Sequence, residues 1–204
     1  MLPIDVALVC DDVVTVATPR DTSYGRVDAD SAIAFSAGAA TDVRGLRGSV
    51  DLRYRYLHTA GIFVTYEEGF GAGAEPLRVG LAGLELRPFF LGRYLQGYEL
   101  GVPRLDLLID SIALELGGFV GQPAGRGFGD AAGLAFGVAA EFPFLPKTNG
   151  PFLAVRASLR WSREALSAAD ATTVDVEAFV VTVALGWQIN FGAHMVDLGD
   201  EPKK

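Results

Sequence analysis

The segment from Val176 to Phe191 constrains the fold most, because its bulky apolar residues recur at every second position. The bulky set comprises Phe179, Val181, Val183, Leu185, Trp187, Ile189 and Phe191. The alternate set is mostly small or polar and includes Ala178, Thr182, Ala184, Gly186, Gln188 and Asn190. A soluble sheet usually carries Lys, Glu and Thr on its water-facing side, whereas small and amide side chains fit the interior of a narrow barrel. The pattern therefore predicts a β-strand with lipid on its bulky side.

A membrane-spanning helix is the alternative for this region, because Ala178 to Val196 contains no charged side chain and is long enough to cross a bilayer. Its residues argue against a helix. Val180 to Val183 is β-branched throughout, and Gln188 and Asn190 would both lie in hydrocarbon on any helix face. The period of two favours the strand.

The same alternation predicts seven earlier strands, within residues 31–39, 50–56, 62–66, 77–88, 107–118, 132–144 and 153–162. Where it slips, near residues 80–83, a bulge is expected. Eight strands predict an all-β protein: a closed, antiparallel, up-and-down transmembrane β-barrel over residues 30–192. Residues 1–29 are assigned to an N-terminal arm, which is an extra strand, a plug or a loose segment, and residues 193–204 to a C-terminal tail.

The connections are expected to differ in length at the two ends of the barrel. Those after strands one, three, five and seven are predicted to be long, and those after strands two and six short. The connection after strand four breaks this pattern. Within it, Leu91, Tyr94, Leu95 and Tyr98 have helical spacing, so it holds either a short amphipathic helix along the membrane surface or an irregular segment.

Charged side chains occupy many positions on the inward face of the predicted strands. They are Asp51, Arg53, Arg55, Arg78, Glu85, Arg87, Glu115, Glu141, Arg156 and Arg160. All except Asp51 and Arg78 are assigned to a lumen charge network, because buried charges must pair. The turn between Phe144 and Leu153 predicts a register that places Glu141 opposite Arg156, with Phe142 opposite Val155 and Phe136 opposite Trp161.

Aromatic side chains lie near the ends of the predicted strands, as they do in the interfacial girdles of membrane barrels. The predicted interfacial set is Tyr54, Tyr56, Phe142, Phe144, Trp161 and Trp187, with Phe191 at the end of the last strand.

The pattern from Ser31 to Phe191 resembles the small outer-membrane β-barrels of Gram-negative bacteria, the porin-like eight-stranded superfamily. Gly186, Ile189 and Phe191 match the assembly signal of that superfamily's last strand. Ala184 stands where a polar residue is usual, and a tail follows Phe191. The resemblance implies a location in the bacterial outer membrane, with the lipid bilayer and the outer-membrane assembly machinery as partners.

Composition excludes several functions. The net charge is −8 and the basic residues are scattered, so nucleic acid is not an expected partner. Cys10 is the single cysteine, which excludes an intramolecular disulfide and a thiolate metal cluster. The first twenty residues lack a signal-peptide pattern, because Asp5, Asp11 and Asp12 interrupt the apolar run, and a removed signal peptide is the expectation.

Enzyme chemistry is not expected, and neither is a cofactor. The two histidines, His58 and His194, have no serine beside them on a strand face, and no metal-ligand spacing occurs. The glycine-rich stretch 67–76 lacks the Lys-Ser/Thr of a phosphate-binding loop. The prediction is a non-enzymatic outer-membrane scaffold with a mostly closed lumen and an unidentified ligand at the long loops. The alternatives are a narrow channel or porin, a soluble lipocalin-like carrier with its oily face inward, and a lipid-modifying barrel enzyme.

Overall fold

The computed structural model describes residues 29–70, 76–163 and 177–192, and their strands close into one antiparallel barrel. The strands are β1 (Ser31–Asp42), β2 (Gly45–Tyr56), β3 (Ala60–Gly69), β4 (Arg78–Leu86), β5 (Ala113–Gln122), β6 (Ala131–Pro143), β7 (Gly150–Ser162) and β8 (Glu177–Phe191). Two helices, α1 (Pro88–Gln96) and α2 (Pro103–Asp110), connect β4 to β5. Each strand pairs with the next, and β8 pairs with β1. The predicted eight-stranded up-and-down barrel is confirmed. The N-terminal arm and the C-terminal tail lie outside the described residues, apart from position 29.

The strand registers fix the dimensions of the barrel. Following directly opposed residues once around it leads from Ser31 back to Thr41 on the same strand, a stagger of ten residues. For eight strands, this stagger corresponds to a strand tilt of about 40°. The interior of such a barrel is only wide enough to be filled by side chains.

The burial pattern shows which face points outward. On β8, Val183 is 47% exposed, whereas the adjacent Ala184 is 3% exposed. The large apolar residues of the other strands, including Phe35, Leu52 and Leu116, are also exposed. The bulky apolar set therefore lies outside the barrel. The soluble-carrier alternative, which requires that set inside, is wrong.

The two ends of the barrel carry different connections. The turn rim is the end formed by residues 57–59, 87–112 and 144–149, where β1 begins and β8 ends. The loop rim is the opposite end, where the described connecting residues are 43–44, 70, 76–77, 123–130 and 163. A long connection after strand one was predicted, but β1 and β2 are joined by Val43 and Arg44 alone. Asp42 stabilises this tight turn, because its Oδ1 accepts a hydrogen bond from the Arg44 backbone N–H at 2.8 Å.

The predicted bulge in strand four is wrong. β4 pairs with both neighbouring strands without a skipped residue. Inward and outward residues alternate regularly along β4. In this stretch, however, the inward residues Val79 and Leu81 are apolar and the outward residue Gly80 is small, which reverses the usual pattern. This register also places Arg78 outside the lumen, where its Nε donates to Glu68 Oε1 at 3.1 Å. The inward position predicted for Arg78 is therefore wrong.

The connection after β4 contains more helix than the sequence predicts. The short helix at Leu91 and Tyr94 is present as α1, but residues 107–110, predicted to begin strand five, belong to α2. In α2, Asp106 and Asp110 are one turn apart, and both form ion pairs with Arg93 of α1. These ion pairs hold the two helices together.

The register between β6 and β7 differs from the predicted one by two residues. Glu141 lies opposite Ala154, and Ala139 lies opposite Arg156. The prediction treated Phe152 as part of the turn, whereas β7 begins at Gly150 and the Phe144 N–H donates to the Pro151 carbonyl at 3.0 Å. On the outer face, Phe142 lies opposite Leu153 and Leu134 lies opposite Trp161. The predicted faces are correct, but the predicted partners are wrong.

Close packing at Gly186 suggests a first test. A Cβ atom there would overlap the Phe152 ring and would lie 2.6 Å from the backbone oxygen of Phe35. We expect Gly186→Ala to lower the free energy of unfolding by about 1 to 3 kcal/mol, measured by denaturant titration in detergent micelles.

Gly92→Ala is the matched control. Gly92 lies within α1, where a Cβ atom would have no heavy atom within 4 Å. This substitution should stabilise by up to about 1 kcal/mol, because alanine is the better helix former. Equal effects at the two positions would contradict the packing described for Gly186.

Candidate functional site

The lumen collects the charged side chains that the sequence assigns to it. Each of the eight predicted residues lies inside the barrel, and none is more than 7% exposed. Asp51, which the sequence also places on the inward face, lies inside with them, and the structure adds Asp42, Arg47 and Glu67. Sequence reasoning missed Arg47 and Glu67 because the predicted strands two and three were too short. Continuing the inward alternation to positions 47 and 67 would have found both.

Arg53 joins three carboxylates in the middle of the barrel. Its Nε donates to Asp51 Oδ1 at 2.7 Å, and its Nη1 donates both to Glu115 Oε1 at 2.5 Å and to Glu85 Oε2. Glu85 and Glu115 lie directly opposite each other on β4 and β5, where like charges repel. The shared guanidinium offsets this repulsion. The Arg53 guanidinium carbon also lies 5.1 Å from the centre of the Phe63 ring, a cation–π distance.

Glu141 interacts with two arginines, Arg55 of β2 and Arg87, which follows β4 and precedes α1. Its Oε1 accepts from Arg55 Nη2, and its Oε2 accepts from Arg87 Nη2 at 2.7 Å. Arg55 and Arg87 also both donate from Nε to Glu85 Oε1, each at 2.8 Å. The four side chains therefore form a closed ring of ion pairs towards the turn rim.

The predicted ion pair between Glu141 and Arg156 is wrong. Arg156 Nη2 donates to Asp51 Oδ1 at 3.0 Å, and its Nε lies 3.9 Å from Glu115 Oε1. The corrected β6–β7 register explains the change, because it places Ala139 rather than Glu141 opposite Arg156.

A second, smaller cluster lies towards the loop rim. Arg160 binds both oxygens of Glu67, with Nη1 to Oε2 at 2.9 Å and Nη2 to Oε1 at 2.5 Å. Arg47 Nε donates to the same Oε2 at 3.1 Å, and Arg47 Nη2 donates to Asp42 Oδ2 at 3.0 Å. Two-pronged guanidinium–carboxylate contacts of this kind are strong and fix side-chain orientation.

Each cluster is electrically balanced. The central cluster contains four arginines and four carboxylates: Arg53, Arg55, Arg87, Arg156, Asp51, Glu85, Glu115 and Glu141. The loop-rim cluster contains two of each: Arg47, Arg160, Asp42 and Glu67. Removing one member leaves an uncompensated buried charge, which costs several kcal/mol.

The helix pair packs against the turn rim. Phe90 of α1 is buried beside His58, with ring centroids 6.0 Å apart. The Ser111 hydroxyl, next to α2, donates to the Glu141 carbonyl at 2.9 Å and accepts from the Glu141 N–H at 2.8 Å. A cavity of about 40 Å³ remains beneath the helices, lined in part by His58 and Arg87, with room for about one or two water molecules.

Other predicted sites have the following positions. His58 lies in the turn after β2, and His194 lies outside the described residues. Gly186 faces inward, while Ile189 and Phe191 are exposed on the outer face of β8 near the turn rim. Among the described residues, no group of three His, Cys, Asp or Glu side chains could hold a metal ion. Neither described helix is long and apolar enough to span a membrane.

The predicted interfacial aromatics are distributed unevenly between the rims. Five lie in the halves of their strands nearer the turn rim or in the adjoining turn, namely Tyr54, Tyr56, Phe142, Phe144 and Trp187. Trp161 lies near the loop rim, opposite Leu134. Their interfacial role stays a prediction.

The fold and its charged interior define a small, closed eight-stranded β-barrel protein. The structure is similar to the N-terminal β-barrel domain of Pseudomonas aeruginosa OprF, with a TM-score of 0.44, 10% identity, and coverage of 79% of this chain and 98% of that one. It is also similar to two structures of Ail from Yersinia pestis.

The first Ail structure is a complex with the heparin analogue sucrose octasulfate, with a TM-score of 0.36, 12% identity, and coverage of 78% of this chain and 96% of that one. The second is the backbone structure of the outer membrane protein Ail in a phospholipid bilayer nanodisc. It has a TM-score of 0.39, 15% identity, and coverage of 78% of this chain and 99% of that one. No protein-family model and no curated protein matches the chain.

The ring of ion pairs around Glu141 predicts a specific energetic coupling. We expect Arg55→Met and Glu141→Gln each to destabilise by about 3 to 5 kcal/mol, because each leaves a buried charge without its partner. The double variant should cost less than the sum of the two, by about 1 to 3 kcal/mol, in denaturant titrations.

The control cycle pairs Glu141→Gln with Arg160→Met, whose guanidinium binds Glu67 in the other cluster. That pair should be additive within about 0.5 kcal/mol. Coupling of equal size in both cycles would contradict the division into two clusters.

Proposed function

We propose that this chain is a β-barrel of the bacterial outer membrane that serves as a structural or surface-interaction scaffold and has no enzymatic activity. The observation that carries the proposal is the sidedness of the barrel. Bulky apolar side chains cover the outside, and charged side chains fill the inside. A soluble barrel of this size would place these two sets the other way round.

The height of the apolar band supports a membrane location. On β8 the outward apolar residues run from Phe179 to Phe191. This stretch is about 40 Å long at about 3.3 Å per residue, and a tilt of about 40° reduces it to about 30 Å along the barrel axis. That height matches the hydrocarbon thickness of a bilayer. Closure also leaves no strand edge exposed to lipid.

Apart from the helical connection 87–112 and the tight turn 43–44, the connections at the turn rim are shorter than those at the loop rim, as periplasmic turns are in such barrels. We place the turn rim, which carries the two helices, the start of β1 and the end of β8, on the periplasmic side. The loop rim then faces the outside of the cell. Gly186, Ile189 and Phe191 would then serve as the signal read by the outer-membrane assembly machinery. The α1–α2 segment exposes Tyr94, Leu95 and Leu105, which would lie at the inner surface of the membrane.

A narrow channel is the second candidate, because charged groups line the lumen along much of its length. Within the described residues, however, every arginine of the two clusters contacts a carboxylate that also fills the lumen. We therefore expect no steady conductance when the purified protein is inserted into a planar bilayer. Stable single-channel steps, abolished by boiling the sample, would favour the channel.

Folding in detergent provides the direct test of the barrel as a membrane protein. The unheated protein should migrate faster on a denaturing gel than the boiled protein, because a closed barrel resists the detergent. It should also float with lipid vesicles in a density gradient. Identical gel mobilities, together with recovery in buffer without detergent, would contradict the proposal.

A substitution on the outer face tests the lipid contact separately. Val183 lies near the middle of β8 and points outward, so Val183→Arg should destabilise the vesicle-inserted barrel by about 2 to 4 kcal/mol. Ala184→Ser, at the next residue but inside the barrel, should have a much smaller effect. Urea titration in vesicles measures both, and the reverse order would show that β8 faces lipid with its other side.

A further inference from the structure

The loop-rim end of the lumen contains a cavity that the charge clusters leave unfilled. Its volume is about 350 Å³, within the range of sites that bind small molecules. This loop-rim cavity lies between the loop-rim cluster and the connections 43–44 and 123–130. It is several times larger than the cavity beneath the helices at the turn rim.

Part of the cavity wall is apolar. Val79 and Val180 are each 1% exposed, and Phe119 packs against Phe63 and Leu81 deeper in the lumen. Ala131 contributes a small side chain at the end of β6. This lining suits the hydrocarbon or aromatic part of a ligand, because burying apolar surface here displaces water from it.

Arg126 and Asp130 lie at the mouth of the cavity, above the electrically balanced loop-rim cluster at its base. The Asp130 carboxylate also accepts a hydrogen bond from the Gly127 N–H at 2.8 Å. The Arg126 guanidinium is exposed and makes no ion pair with any residue that the structure describes.

The base of the cavity contributes one further polar group. Arg160, which lines the cavity, is 93% buried, and its Nε has no hydrogen-bond partner among the described residues. Both Nη atoms are already bound to Glu67. An anionic group placed this deep would approach the Glu67 carboxylate, so the favourable position for an anion is the mouth, beside Arg126.

We propose that the loop-rim cavity binds a small amphipathic anion. The apolar body of the ligand packs against Val79, Phe119 and Val180, and its acidic head pairs with Arg126 at the mouth. This inference rests on the proposed function for the outward orientation of the loop rim, and it gives the surface-interaction scaffold a class of ligand. The volume of the cavity and the arginine at its mouth together define this class of ligand. Its members carry one carboxylate, sulfonate or phosphate group, attached to one or two rings or to a hydrocarbon chain of medium length.

The test uses the full chain in lipid nanodiscs with two probes of the same shape. Naphthalene-2-sulfonate carries the anion, and 2-naphthalenemethanol is neutral. Saturation-transfer NMR titrations, with empty nanodiscs as the background, measure both. The anion should bind saturably and about three- to fivefold more tightly than the neutral probe, and added salt should reduce this difference.

Variants at the mouth and in the wall separate the two parts of the site. Arg126→Gln should weaken binding of the anion about three- to fivefold and leave the neutral probe unchanged. Lys147→Gln removes the same charge at the turn rim and should change neither. Ala131→Trp fills the cavity and should abolish saturable binding of both probes.

The gel-mobility test is run on every sample, so failure of the fold is distinguished from failure of the site. Variants that keep the mobility difference are folded barrels, and only their NMR titrations are used to judge the binding site. A folded wild-type barrel that binds neither probe above the empty-nanodisc background overturns the cavity proposal but not the proposed function. Equal binding of both probes, unchanged by Arg126→Gln, overturns it as well. A wild-type chain that lacks the mobility difference and is recovered in buffer without detergent overturns the proposed function itself.

Discussion

Two carboxylates that face each other across neighbouring strands determine how this lumen is built. The β4–β5 register places Glu85 directly opposite Glu115, and neither side chain can reach water outside the barrel. Arg53 crosses from β2 to bind both of them. The same two strands carry Gly83 opposite Gly117 on the inward face, where a Cβ atom at either position would overlap the backbone of the facing strand. The arginine therefore offsets the repulsion between the two carboxylates and links β2 to β4 and β5 through the lumen.

A lumen filled with ion pairs is not the most stabilising filling, since apolar residues of similar volume are often equal or better. In the membrane location proposed above, its advantage would be that it fixes which face points inward. Turning the charged face of a strand towards hydrocarbon would cost about 2 to 4 kcal/mol for each basic residue near the midplane. β2 alone carries Arg47, Arg53 and Arg55 on one face. The charge network thus excludes the inverted strand, whereas an apolar lumen would leave both faces of each strand compatible with lipid.

The sequence predicts faces well and partners poorly, and the reason is geometric. Alternation with a period of two depends only on neighbouring residues, so the inward position of Glu141 and Arg156 followed directly from it. Their pairing depended on the length of the turn between β6 and β7, and an error of two residues there gave each of them the wrong partner. Contacts across the lumen are harder still, since Arg53 and Glu115 come from strands that are not adjacent. The helix α2 was missed because Arg93, which binds Asp106 and Asp110, lies in a different element.

The two ends of the lumen differ in a way that bears on binding and transport. At the turn rim, Phe90 and Ser111 hold the helix pair against the barrel and leave room for only about one or two water molecules. In the middle, the central cluster occupies the cross-section with paired side chains. At the loop rim, the described residues leave a cavity of ligand size. A solute entering there meets Arg160 and Glu67, which are already bound to each other, and moving further would separate buried charges at a cost of several kcal/mol. Among the described residues, the larger of these two spaces in the lumen therefore lies at the loop rim, which suits the ligand site proposed there.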